Sequence, residues 1–443
     1  MECDTKRTMR VLVGAMVLGA LCSGCAADDE LACTYEVCEP ADPACLERTA
    51  EVVACRLGRD PVVPSFRVTT GERLAAEVSL DPEWVALLRD VYRAESFMKL
   101  APSDVDPEAG VRERRARTRG YYSFVDEEIV LVEDAPGMDD RERRYTVLVH
   151  ELVHASQDVE VDLSAFDLAF GTTRDRWLAA RSVAEGEAEL YETHASIELA
   201  GYGLLDIDRQ GYFENWQDDS VEHLTEGPTA TLDAGGVFPY PWGGGFALRA
   251  WDVNGPNQVR ALFDNPLPST RSVMAGFGPS WKVVNRDVEV DLVGVPRFAG
   301  DAFEPLGVRH QGTWMAMAFL AQHGVQPWEL VSAGMNIAGD VFSIHRISGT
   351  SHVVAVWRIR GKVPGTIKGW PSELDQATTR YRMRIGGDTI LVATPSDVPV
   401  SSVVDSIEGW QPTRDVFAHD IGHSPPPATD CAFSPHARFS RLR

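Results

Sequence analysis

The chain has 443 residues, of which 44% are hydrophobic and 24% charged, so it is long enough for more than one globular domain. Its formal net charge of −24 makes nucleic acid and anionic membrane surfaces poor partners, and we expect no nucleic-acid partner.

The first 24 residues predict a signal peptide. A basic start precedes an apolar run from Val11 to Leu21, which is too short to span a bilayer. The next stretch, LCSGC, resembles a bacterial lipobox, although Cys22 stands where leucine is usual. We therefore expect a cell-envelope protein that contacts the membrane only through a lipid on Cys25, with plain secretion as the alternative.

Residues 25–60 form a cysteine-rich segment. Its clustered cysteines are Cys33, Cys38, Cys45 and Cys55. In an oxidising compartment such a cluster predicts two disulfides, with three possible connectivities. The spacing lacks the C-x-x-C pairs of a zinc knuckle, so we expect a stapled segment without chemistry. Cys431 has a partner only if Cys25 is not lipidated.

The next region predicts helices around two short strands. Apolar residues at helical spacing predict a helix over 81–99. RERRARTR, residues 112–119, predicts a solvated helix end or a proteolytic site. Two β-rich runs follow, Tyr121–Val125 and Ile129–Val132, and then a helix over 140–158.

The rest of the chain predicts a long helix over 174–200 and then a mixed region. From about residue 205, Gly, Pro and Trp become frequent. We expect helices over 256–264, 269–275 and 310–324. Two hairpins should follow, one around Ser348-Gly349 and one around Gly386-Gly387.

The stretch VLVHELVHASQD, residues 147–158, carries the chemistry. Four residues apart on a helix, His150 and His154 present both imidazoles on one face, where they can reach one Zn²⁺ at about 2.0–2.1 Å. Glu151 lies about 100° round the helix, beside the metal, where it can pass a proton from water to a leaving group. Chance alone yields H-E-x-x-H in about one or two chains per hundred of this length.

The third ligand must come from elsewhere. The places of the glycine and histidine that a metzincin needs hold Gln157 and Glu160, which excludes that class. An aspzincin would need aspartate at position 160 after the same glycine, so this class is disfavoured. The remaining class of zinc peptidases takes a glutamate from a later helix.

The stretch SVAEGEAELYE can supply that glutamate. Glu185, Glu189 and Glu192 share one helix face, although acidic faces are also often merely solvated. Gly186 costs about 1 kcal/mol inside a helix. Because it is small, as is Ala188, we expect it to let this helix approach the 140–158 helix closely.

HELVHASQD followed by AARSVAEGEAELY resembles the HExxH–EGxA pattern of glutamate-type zincins, or gluzincins, and among them a group of predicted exported bacterial metallopeptidases, often lipoproteins. FPYPWGGGF, PLPSTRSV and AGDVFSIHR extend the resemblance thinly over about residues 120–400. It implies Glu151 as the base and Glu189 as a residue that orients a ligand histidine. The implied zinc ligands are His150, His154 and Glu185.

Gluzincins also stabilise the oxyanion of the transition state with a tyrosine or histidine. Tyr240, in a Pro-Tyr-Pro turn, and His223 are the residues that this resemblance offers for the role.

Together these patterns predict an α+β fold. Residues 61–235 would form a zincin-like domain with a twisted sheet, an active-site helix and a third-ligand helix, and residues 236–443 a C-terminal region of helices and antiparallel strands. We expect the strand over 129–132 to lie at the sheet edge, to pack on the 140–158 helix and to pair with an extended substrate.

The expected function is an exported zinc-dependent hydrolase, a metallopeptidase acting on a peptide or protein substrate. The alternatives are a cell-wall amidase using the same site and an exported binding or surface protein that retains a zincin fold for structure. Glu151 counts against the last, because a structural zinc site has four protein ligands and no use for a base. The sequence leaves the cleavage preference and the oligomeric state open.

Overall fold

The computed structural model describes residues 33–170, 173–264, 266–276, 297–298, 300–362, 380–385 and 388–408. The predicted signal peptide, Cys25, Cys431 and the Gly386-Gly387 turn lie outside these residues. Within the described ranges, no helix combines the length and the apolar character needed to cross a membrane.

The N-terminal third alternates helices with short strands. Asp42, Asp81 and Asp106 each precede a proline and accept hydrogen bonds from backbone N–H groups of the first helical turn, which explains where three helices begin. The helix predicted over 81–99 is confirmed as α3. The elements are α1 (Pro43–Leu57), β1 (Ser65–Thr69), α2 (Gly71–Ala76), α3 (Pro82–Phe97), α4 (Pro107–Arg117), β2 (Gly120–Ser123) and β3 (Glu128–Val132).

The arginine-rich stretch forms the C-terminal half of α4. Arg112 and Arg117 pair with Glu108 and Glu113 one turn earlier, an arrangement typical of a solvated helix face. Proteolytic nicking favours exposed loop tips, so an ordered helix here favours the solvated helix end.

The cysteine-rich segment is joined by two disulfides, Cys33–Cys55 and Cys38–Cys45, each with Cα atoms 5.5 Å apart. Helix α1 of this segment buries Leu46, Ala50 and Val53 in the same core as the helix that carries the two histidines. The segment is therefore an integral part of the fold.

The first sheet has three strands in the order β1-β3-β2, with β1 parallel and β2 antiparallel to β3. The prediction that residues 129–132 form an edge strand is wrong, because β3 is the central strand. Its residues Ile129–Val132 are buried without alternation, as expected for a strand covered on both faces. The antiparallel edge belongs to β2.

The central part is helical, and both long helices predicted here are confirmed. Asp140 caps α5, which buries Leu148 and Leu152 against β3 in one core, as predicted. Helix α10 is kinked at Asn254 and Gly255, so the helix predicted over 256–264 is its second half. The elements are α5 (Arg141–Val161), α6 (Leu163–Phe170), α7 (Arg174–Leu199), α8 (Arg209–His223), α9 (Pro228–Val237), α10 (Pro239–Asp264) and α11 (Thr270–Ala275).

The C-terminal part contains a five-stranded antiparallel sheet in the order β5-β6-β7-β9-β8. Its hairpin around Ser348-Gly349 is confirmed, and α11 and α12 confirm the helices predicted over 269–275 and 310–324. The elements are β4 (Arg297–Phe298), β5 (Phe303–Arg309), α12 (Gly312–Ala321), α13 (Pro327–Met335), β6 (Ile337–Ile347), β7 (Val353–Gly361), β8 (Arg380–Ile385), β9 (Asp388–Ala393), α14 (Val400–Val404) and β10 (Ile407–Glu408).

One hydrophobic core extends across the predicted domain boundary at residues 235 and 236. Leu178 and Val183 of α7 share it with Phe246 of α10, Trp314 of α12 and Trp357 of β7. The C-terminal helices and the second sheet thus pack in the same core as helix α7.

Candidate metal centre

Helices α5 and α7 bring three predicted side chains together in the interior. The Nε2 atoms of His150 and His154 are 3.1 Å apart, and Oε2 of Glu185 lies 3.4 Å from each of them. The three residues are 4%, 0% and 0% exposed. They form one of the clusters whose ligand atoms could hold a metal ion.

The triangle of atoms fits a metal ion better than a hydrogen-bond network. Three donors at about 2.0–2.1 Å from one tetrahedral ion lie about 3.3–3.4 Å apart, close to the observed edges. Oε2 of Glu185 is buried and accepts no hydrogen bond among the described residues. A buried carboxylate oxygen normally has a hydrogen-bond donor, because leaving it without one is costly. A metal ion would supply the missing partner, and this supports Oε2 as a metal ligand.

The imidazole of His150 is oriented by the carboxylate of Glu192, which lies two helical turns after Glu185 on α7. Its Nδ1 donates to Oε2 of Glu192 at 2.9 Å, and Arg143 pairs with the other oxygen of Glu192 at 3.0 Å. Glu192 thus makes a contact of the kind that the resemblance implied for Glu189. Glu189 lies beside the pair, with its ligand atom within 4.8 Å of theirs.

His154 is oriented from its own helix. Its Nδ1 donates to Oε1 of Gln157 at 2.9 Å, and Nε2 of Gln157 donates to the backbone oxygen of Ala184 at 2.9 Å and to Glu187 at 3.0 Å. Sequence reasoning used Gln157 only to exclude metzincins and missed this role. The signal available was its spacing, three residues after the second histidine on the same helix.

Glu185 uses its second oxygen to bind a cation on α7. Nη2 of Arg181 donates to Oε1 at 2.6 Å, leaving Oε2 to face the histidines. Arg181 in turn lies over the ring of Trp177, 5.0 Å from its centroid. Although burial opposes ionisation, Arg181 and the two histidines hold the pKa of Glu185 well below its ordinary value. Sequence reasoning also missed Arg181, although its i,i+4 spacing from Glu185 was visible.

The pKa of His150 is shifted in the opposite direction. Burial lowers it, but the contacts with Glu185 and Glu192 outweigh burial and hold the pKa well above its ordinary value. The site thus places an ionised carboxylate against an imidazole that readily holds a proton, and a metal ion would have to displace that proton to bind.

Glu151 is a further buried polar side chain of the site, 3% exposed. Burial raises its pKa to about 7, against the opposing effect of the two histidines. Its Oε2 accepts no hydrogen bond within the described part of the chain. A carboxylate with a pKa near neutrality suits a proton acceptor at physiological pH.

The two predicted oxyanion donors differ in their position. The ring of Tyr240 lies nearly parallel to that of His150, with centroids 6.3 Å apart. His223 ends helix α8, where its Nδ1 contacts Glu226 at 2.7 Å. Of the two, the structure brings only Tyr240 next to a predicted ligand.

Gly186 allows close packing of α7 against helix α10, and not against helix α5 as predicted. A Cβ atom there would lie 2.3 Å from the backbone oxygen of Gly243, so Gly186 faces helix α10 and not helix α5. A Cβ on Gly243 would likewise meet the backbone oxygen of Ser182 at 2.3 Å. The two glycines allow direct backbone contact between α7 and α10, which places Tyr240 beside His150. Ala188 is the small residue in the core shared with α5.

No family model matches the chain, and neither a curated protein nor a solved structure matches it. The resemblance to glutamate-type zincins therefore rests on the motif residues and stays a prediction.

Proposed function

We propose that this protein is an exported zinc-dependent hydrolase, specifically a metallopeptidase. The observation that carries the proposal is the triangle of His150 Nε2, His154 Nε2 and Glu185 Oε2, with edges of 3.1, 3.4 and 3.4 Å. A purely structural zinc site would need a fourth protein ligand, whereas a catalytic site needs a base, and Glu151 beside His150 in the sequence is the residue we propose for that role.

Zinc is the metal that this donor set fits best. Two imidazole nitrogens and one carboxylate oxygen are a zinc combination typical of catalytic sites, in which one position stays open to the substrate. When bound, zinc acts as a Lewis acid that polarises a carbonyl group and acidifies water.

The residues of the chain would divide the remaining work. The carboxylate of Glu151 accepts a proton from the attacking water and delivers it to the leaving nitrogen as the C–N bond breaks. Glu192 and Gln157 keep a proton on Nδ1 of His150 and His154, so that both Nε2 lone pairs are available to the metal. Tyr240 is our proposed donor to the developing oxyanion.

Two disulfides favour an oxidising compartment outside the cytoplasm. Within it, we propose that Cys25 carries a lipid anchor. Labelled palmitate should enter the wild-type protein and not Cys25→Ser.

The function is tested by metal analysis and proteolysis on the same preparation. We expect one zinc ion per chain, and cleavage of casein that a chelator abolishes and added zinc restores. Bound zinc without hydrolysis of casein or of cell-wall amides would contradict the enzyme assignment. Amide hydrolysis confined to cell-wall fragments would replace the peptidase by an amidase.

A further inference from the structure

The cysteine-rich segment ends in a turn that is fixed by the backbone. Gly58 adopts a left-handed conformation, with φ 64°, at the end of α1. The backbone N–H of Arg59 then donates to the oxygen of Ala54 at 2.9 Å. In the last turn of the helix, Cys55 is bonded to Cys33. Arg59 is therefore carried by a rigid, cross-linked element.

Arg59 projects from this turn between the two site helices. Its Nη2 donates to both oxygens of Glu187, at 2.9 and 3.2 Å, and its Nε pairs with Glu160 at 2.7 Å. Glu187 lies on α7 and Glu160 near the end of α5. One guanidinium group thus bridges the helix that carries both histidines and the helix that carries Glu185.

Glu187 connects this bridge to the metal centre. It accepts a hydrogen bond from Nε2 of Gln157 at 3.0 Å, while Oε1 of Gln157 accepts the proton of His154 Nδ1. The backbone oxygen of Ala184, 2.9 Å from the same Nε2 atom, is a second acceptor. Because neither group can donate, the two together require the amide to turn its NH₂ group towards them and its oxygen towards His154. A reversed amide would donate to Nδ1, move the imidazole proton to Nε2 and block that nitrogen as a ligand.

We propose that Arg59 is a positioning residue of the metal centre: by holding Glu187 it secures one of the two acceptors that orient the amide of Gln157 and, through that amide, the tautomer of His154. The inference rests on the proposed zinc site. The disulfide-stapled segment would then contribute a positioning residue to that site, whereas the sequence predicted a segment without chemistry.

The test measures zinc affinity of the full, oxidised chain by competition with a chromophoric chelator. We expect Arg59→Met to weaken zinc about 10-fold, the lower end of the range for groups that orient a ligand. Arg59→Lys keeps the charge and should recover part of the loss. Arg56→Met is the matched control, because Arg56 also joins α1 to α7 but pairs there with Glu198, at 2.5 Å, and not with Glu187. It should change zinc affinity by less than about twofold.

Arg59→Met leaves the buried charge of Glu187 without its cation and could impair folding. In that event Arg59→Met with Glu187→Gln removes the charge as well. Zinc binding should still be weakened, because the amide of Gln157 then keeps only one acceptor that cannot also donate, the backbone oxygen of Ala184. A structural role alone would not couple to Gln157. We therefore expect Arg59→Met to have no further effect on zinc affinity in a Gln157→Leu background.

The outcomes separate the two proposals. If the wild-type protein binds zinc while folded Arg59→Met binds it as tightly as Arg56→Met does, the role of Arg59 is overturned and the zinc site stands. Additive effects of Arg59→Met and Gln157→Leu would also overturn it. A wild-type protein that binds no zinc overturns the metal centre, and the role of Arg59 with it.

Discussion

Two buried carboxylate clusters meet helix α7, and they are built differently. At the first residue of the helix, Arg174 donates to Glu95 at 3.0 Å, and Arg309 and Gln311 contact the same oxygen at 3.0 and 3.2 Å. In the middle of the helix, Glu185 has one cation on Oε1, and its Oε2 accepts no hydrogen bond among the described residues.

This difference in hydrogen-bond partners distinguishes Glu95, a carboxylate that stabilises the fold, from Glu185, a carboxylate that can bind a ligand. A buried anion is tolerable when several donors contact it, as three side chains contact Oε1 of Glu95. An oxygen left facing two imidazole nitrogens is tolerable if a cation lies between them. Each prediction below would strengthen or remove that distinction.

The largest effect is expected at Glu185. Glu185→Ala should lose zinc and activity together, because two histidines alone hold zinc weakly. The loss of affinity should exceed the about 10–100-fold that is typical of residues that only orient a ligand. Chelator competition measures it, and full zinc affinity in this variant would falsify the ligand assignment.

Glu151→Gln should separate binding from turnover. The change removes the proton acceptor but none of the ligands, so zinc affinity should stay near the wild-type value while kcat falls by about 10²–10⁴-fold. Metal titration and peptide cleavage on one preparation give both numbers. Loss of zinc in this variant would show that Glu151 helps to hold the metal.

Glu95→Ala should affect stability and not the metal. It leaves the buried cations Arg174 and Arg309 without their anion, and we expect the free energy of unfolding to fall by about 3–5 kcal/mol. Urea denaturation measures this change, and zinc titration of the folded variant should match the wild type. A large loss of zinc affinity would mean that the two clusters are coupled through α7.

A smaller change is expected from the residues that orient His150. Glu192→Ala removes the acceptor of the Nδ1 proton, and zinc affinity should fall by about 10–100-fold. Glu189→Ala is the matched control, one turn away on the same face, and should cost less. Equal losses would restore the role that the resemblance implied for Glu189.

The sequence predicted the three side chains that meet at the candidate centre but not the residues around them. Helical periodicity is local, so spacing alone placed His150 and His154 on one face and left Glu185 and Glu189 as rivals. The partners of these residues depend on how α5, α7 and α1 are stacked, which no local pattern contains. Gln157 and Arg59 were therefore visible in the sequence but not interpretable.

Strand β3, which was predicted at the sheet edge but is the central strand, shows the same limit for the fold. The run Ile129–Val132 has no polar alternation, which predicts a strand covered on both faces. Its position in the sheet was nevertheless assigned from its proximity to the motif, and the partner strand β1, some 60 residues earlier in the chain, was not recognised. Sheet order is set by such distant pairings, whereas the helices predicted from periodicity were confirmed.

The last and smallest effect concerns pH, at a histidine of α7 outside the metal centre. Nη1 of Arg209 lies 3.0 Å from Nε2 of His194, which must accept this hydrogen bond as a neutral imidazole. Burial, followed by the charges of Arg209 and Arg56, lowers the pKa of His194 from 6.5 to about 3. The folded state thus binds fewer protons than the unfolded state below pH 6.5. This contribution to stability is complete above that pH and is lost as the pH falls towards 3.

His194→Gln keeps an acceptor for Arg209 but cannot titrate. Between pH 6.5 and 4.5, the metal-free wild type should lose about 1.4 kcal/mol more per pH unit than this variant does. Urea denaturation at several pH values in the presence of a chelator measures the difference, because the other titrating groups are common to both proteins. Parallel stability curves would place the acid sensitivity elsewhere. Acid sensitivity that both proteins share and that appears only with zinc present would belong to the ligand histidines, and so to the cluster that Glu185 completes.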